Sequence, residues 1–106
     1  MQMIVRSQSF KLPPELSDYV QKRLEAGLRR FSDRIDRVMV LLTDVNGPKG
    51  GADQQCEMKV KLKSSGIIVA KATDVDIALA VGHALDRVLR QIKHRRELRL
   101  ARRVRV

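Results

Sequence analysis

QCEMKVKLK, residues 55–63, decides the fold. Cys56, Met58, Val60 and Leu62 alternate with Gln55, Glu57, Lys59, Lys61 and Lys63. A period of two puts the first set on one face of a strand and the second on the other. Sheets with one covered and one wet face produce this pattern, so the rest of the chain must supply the cover.

Working outward, SSG turns the chain into IIVAKAT (67–73), a further strand. Upstream, NGPKGGAD is dense in Gly and Pro and reads as a hairpin loop. It follows RVMVLLTDV (37–45), a strand apolar enough to be central. QMIVRS (2–7), rich in β-forming residues, opens the chain as a first strand. Between these two strands, KLPPEL marks a helix entrance, where Pro14 costs no hydrogen bond and Glu15 suits the dipole. Leu16, Val20, Leu24, Gly27, Leu28 and Phe31 then share one face, predicting a helix over 14–31. Gly27, unfavourable within a helix, predicts a close approach to the sheet.

After the last strand, Asp74 is the expected cap of a second helix, with Asp76 in its first turn. That helix should bury Ala78, Val81, Leu85, Val88 and Ile92, with His83, Arg87, Arg90 and His94 opposite. The apolar series stops at Ile92, so the helix should outrun its sheet. The order β-α-β-β-β-α predicts an α+β two-layer sandwich, a four-stranded sheet with both helices on one face. A domain over 1–97 is expected, with 98–106 a flexible basic tail. In LRLARRVRV the apolar residues alternate at strand period rather than helical period.

The chain has 106 residues and a net charge of +10. Its last twenty residues hold nine Lys or Arg and one acid, Glu97. Such asymmetry points to a polyanion. Aromatics are few (Phe10, Tyr19 and Phe31), so phosphate contact is expected rather than base stacking. No apolar run is long enough to span a membrane, and the opening residues lack a signal-peptide layout. The lone Cys56 fits a reducing compartment, so a cytoplasmic location is expected. Cys56 should be a small buried hydrophobe. His83 and His94 have no ligand-type neighbours, and NGPKGGAD lacks the ending of a phosphate loop. No catalytic residue, metal, cofactor, small-molecule substrate or membrane partner is expected.

The candidate binding residues are Lys22, Arg23, Arg29 and Arg30 on the first helix, which share about a third of its circumference at ideal pitch. On the second helix they are Arg87, Arg90, Lys93, His94, Arg95 and Arg96. An ordinary solvated helix face mixes signs through i, i+4 pairs; Asp18 and Glu25 lie to one side of the first stripe.

The opening MQMIV, the central DQQCEMKV and the helix DRVLRQIKHRR resemble the ribosome hibernation-promoting factor and protein Y family. The resemblance covers residues 1 to about 97, with Asp53, Cys56, Asp86, Arg90, Gln91 and Ile92 as its most specific pieces. It implies a bacterial stress factor that binds the small ribosomal subunit in the channel for messenger and transfer RNA and blocks translation. It further implies ribosomal RNA contacts by Lys22, Arg23, Arg29, Arg30, Arg87, Arg90, His94 and Arg96. The family commonly has Lys at the last two positions and often an aromatic where this chain has Asp76. The chain resembles the short type, and a monomer is expected. Two other readings fit the residues: a general double-stranded RNA-binding module, whose fold this one resembles with a strand added, and a structural or protein-interaction domain.

Overall fold

The structure, a computed structural model, describes residues 1–45, 53–64 and 66–104, with side chains through Arg95. Its elements run β1 (Gln2–Gln8), α1 (Pro14–Leu28), a 3-10 helix (Arg29–Arg34), β2 (Ile35–Asp44), β3 (Gln54–Leu62), β4 (Gly66–Asp74) and α2 (Ile77–Val104). The strands form one sheet in the order β1-β2-β3-β4. β1 pairs parallel with β2, and the other two pairings are antiparallel. The parallel pair needs a crossover, and α1 is that crossover. The expected α+β sandwich, with both helices covering one sheet face, is the observed one.

Register explains the core. Val5, Val40, Met58 and Ala70 stand in one row across the four strands. Val38, Val60 and Ile68 form a second row, and Leu42, Cys56 and Ala72 a third. Ile35 and Val38 are both buried although they stand an odd number of positions, three, apart. A register shift between Ile35 and Arg37 makes this possible: one extra residue in the strand restores the inward side. Val20, Leu24 and Leu28 from α1, with Val81, Val88 and Ile92 from α2, close the other side. Each such side chain, fully buried, contributes about 1.5–3 kcal/mol.

Several expectations are corrected here. α1 ends at Leu28 rather than 31, and Arg29–Arg34 tighten into a 3-10 helix. Phe31 lies on that turn and is buried, on the core side expected for it. Gly27 approaches α2 rather than the sheet: a Cβ built there would lie 2.7 Å from Leu85 Cδ2. The cap of α2 is Asp76, not Asp74. Its Oδ1 accepts the Ala78 N–H at 2.8 Å, while Asp74 ends β4 and its Oδ1 accepts the Asp76 N–H. Ala80 and Ala84 are buried and Ala78 is only half-buried, while Val81, Leu85, Val88 and Ile92 are buried as expected. The helix stays continuous through Val104, past residue 97 where an arm was expected to begin. Backbone helicity there overrides the strand-like alternation of the tail. Most of the expected loop NGPKGGAD lies outside the described residues; at its base Val45 N–H donates to Asp53 O at 3.0 Å.

Candidate nucleic-acid interface

The helical layer carries its cations on rigid elements. Lys22 and Arg23 are exposed on α1, and Arg29 and Arg30 are exposed on the 3-10 helix. Arg29 and Arg30 thus stand just beyond α1 rather than on it. Arg30 is held over the Phe31 ring, its Cζ 5.6 Å from the centroid. With Phe31 buried, this contact ties a surface cation to the core. On α2, Arg87, Arg90, Lys93 and His94 are exposed. Arg95 is half-buried, and the Arg96 side chain lies outside the described residues.

Charge pairing distinguishes the lysines of the open sheet face from the cations of the helices, although Arg6 and Arg37 on the sheet face also make no ion pair among the described residues. On the open sheet face, Lys59 and Lys71 pair with Glu57 at 4.0 and 3.3 Å, and Lys61 pairs with Asp36 at 3.8 Å. On the helical layer, His83 lies 3.7 Å from Asp74. Lys22, Arg23, Arg29, Arg30, Arg90, Lys93 and His94 make no ion pair among the described residues. Exposed ion pairs are weak, so what matters is the field: these seven cations of the helical layer have no carboxylate within 4.0 Å among the described residues.

Arg87 and Arg95 do something the sequence reading missed. Together with Gln91, they lie along β4, the outer strand of the sheet. The Arg87 guanidinium donates to Lys71 O, Gln91 Nε2 to Val69 O at 3.4 Å, and Arg95 to Ile67 O at 3.2 Å. Donors four residues apart on a helix thus meet carbonyls two residues apart on a strand, which satisfies outward acceptors of an edge strand. The spacing 87, 91, 95 was visible in the sequence, but the strand beside it was not. A guanidinium has five N–H donors, so these bonds leave others for a second partner.

Other features are chemically quiet. The described residues hold no cluster of three or more His, Cys, Asp or Glu able to hold a metal ion. Their buried side chains include none that is polar or charged apart from Cys56. Burial, with Glu57 adding to it, pushes the Cys56 thiol up to about 12. A depression of about 380 Å³ lies on the open sheet face, lined by Ile4, Arg6, Met39 and Leu41 among others, away from the helices. No helix of the described residues is long and apolar enough to cross a membrane. What the arrangement can do is hold phosphates. Exposed Arg and Lys on rigid helices fix position on a folded nucleic acid without reading base edges.

Residues 3–99 match the family model described as sigma 54 modulation protein / S30EA ribosomal protein. Among curated proteins, none matches this chain. A ribosomal subunit interface protein from Coxiella burnetii has the same fold at 20% identity, with a TM-score of 0.74 over 92% of this chain and 99% of its own. The N-terminal domain of Thermus thermophilus Protein Y is 25% identical, with a TM-score of 0.74 over 89% of this chain and 98% of its own.

Proposed function

The chain belongs to the sigma 54 modulation / S30EA ribosomal protein family, and on that premise we propose that it binds the ribosome as a hibernation factor. It docks on the small subunit as a monomer in the cytoplasm, with 1–97 as the binding unit. There it occupies the channel for messenger and transfer RNA and stops translation during stress. Lys22, Arg23, Arg29, Arg30, Arg90, Lys93 and His94 meet ribosomal RNA phosphates, joined by Arg87, Arg95 and Arg96. The observation that carries this reading is the unpaired charge of the helical layer, set against the paired lysines of the sheet. The scarcity of aromatic residues favours recognition of RNA shape over base stacking.

Sedimentation of the full chain with purified ribosomes, across a salt series, tests the proposal. Co-sedimentation with the small subunit that weakens steeply with salt is expected, as is mutual exclusion with initiator transfer RNA. Equal affinity for isolated RNA duplexes would instead make the chain a general duplex binder. No binding to either would leave a protein-interaction domain.

A further inference from the structure

Two glycines mark the seam between the helices, one on each. Gly27 of α1 receives the Leu85 side chain of α2, as described above. Gly82 of α2 receives the side chain of Arg23 from α1: a Cβ built on Gly82 would lie 3.1 Å from Arg23 Nη2 and 3.9 Å from its Cζ. Apart from Gly82 itself, Val81, His83 and α2's own nearby backbone, no other heavy atom of the described residues comes within 4 Å of that point. The two seats are therefore different in kind. Leu85 is buried, and its glycine serves packing. Arg23 is exposed, and its glycine receives a cation.

No carboxylate accounts for where Arg23 lies. Asp86 sits one turn further along α2, yet Arg23 makes no ion pair among the described residues. Nor does helix formation explain Gly82, since glycine is among the poorest residues inside a helix. What the missing Cβ permits is the approach of one edge of the Arg23 guanidinium, Nη2 foremost, to α2 while its Cα belongs to α1.

We propose that Gly82 is a positioning residue: it seats Arg23 across the seam, so that a phosphate bound between the helices meets donors from both. The inference rests on the reading of the helical layer as an RNA-binding face. Arg23 then joins the cations of α1 to Arg90 and Lys93 of α2 in one continuous surface. A guanidinium confined to this seat has less rotamer freedom to lose on binding.

The test uses the full chain and purified small subunits, with affinity measured over a salt series for Gly82→Ala, Gly82→Leu, Arg23→Ala and Arg23→Ala/Gly82→Leu. Alanine shifts the guanidinium by a few tenths of an ångström, and leucine fills its seat. Binding should weaken from Gly to Ala to Leu. Gly82→Leu should approach Arg23→Ala, each losing about five- to eightfold at 0.1 M salt and flattening the salt slope by about 0.7–0.9. The double variant should bind no worse than Arg23→Ala. Thermal stability should hold or rise for both Gly82 variants, because Ala and Leu favour the helix. Gly27→Ala should lower it by crowding Leu85. A loss of fold would lower Tm and the bound fraction without the matching change of slope.

If Arg23→Ala weakens binding and Gly82→Leu does not, the positioning role is wrong and the RNA-binding face survives. If Arg23→Ala and Arg90→Ala/Lys93→Ala all bind like the parent, the face itself is wrong. Loss of stability in Gly82→Leu without a change of slope would make the glycine a packing residue like Gly27.

Discussion

Equal charge removed from opposite faces should have unequal consequences. Arg90→Ala/Lys93→Ala removes two exposed cations from α2, neither paired with an acid among the described residues. Lys59→Ala/Lys61→Ala removes two from the open sheet face, where Glu57 and Asp36 already offset them. Both variants take the chain from +10 to +8. Each phosphate neutralised adds about 0.7–0.9 to the slope of log affinity against log salt. The α2 pair should therefore flatten the slope by about 1.4–1.8. Referred to 1 M salt, where this contribution vanishes, that is a loss of about 25- to 60-fold at 0.1 M. The sheet pair should leave the slope unchanged within error. Neither variant empties a core position, so both should unfold within about 0.5 kcal/mol of the parent.

The assay is binding to purified small subunits at four or more salt concentrations, with thermal melts alongside. Attraction governed by net charge alone predicts the same loss for both pairs. That result, or a larger loss from the sheet pair, refutes the assignment of the helical layer as the contact face.

Two further predictions concern stability and reactivity. Asp76→Ala should cost about 1 kcal/mol by removing the cap on the Ala78 N–H, a fall in Tm of about 4–8 °C by melting. Asp74→Ala, if it were the more damaging, would return the cap to the residue expected from sequence. Because the folded-state pKa of Cys56 is raised, from 9.0 to about 12, its contribution is present below pH 9 and fades as pH climbs toward 12. At pH 8 the thiol should resist alkylation in the native chain and react in denaturant; equal rates in the two states would overturn its burial.

The strands were legible because their signal is local. In 55–63 each residue's polarity reports its own side of the sheet, and every apolar member is buried. The helix ends were not, because they depend on partners distant in sequence. Nothing in residues 27–31 marks where α-helical pitch gives way to the 3-10 turn, since Leu28 and Phe31 share a face at either pitch. Asp74 and Asp76 are equally good capping residues in isolation. β4 continuing through Asp74 leaves that role to Asp76. Gly27 was recognised as a close approach, but the contacting surface is a leucine 58 positions later, on an element whose rotation the sequence did not specify. The cations of the helical layer were legible as a set. Their separate duties were not, since pairing and seating are properties of space rather than of spacing.

Arg87, Gln91 and Arg95 show why the distinction matters for function. Read as charge, the two arginines belong with Arg90 and Lys93. Their positions against β4 give them a second task, satisfying carbonyls that an edge strand would otherwise offer to another chain. A basic helix laid beside an edge strand can thus guard that edge and face a polyanion with the same residues. It follows that neutralising Arg87 perturbs two things together, the edge and the field, whereas neutralising Arg90 perturbs the field alone. Arg90 and Lys93 are therefore the cleaner measure of RNA contact, although residue counting ranks all four alike. The same logic singles out Arg23, whose charge belongs to α1 by sequence and to both helices by position.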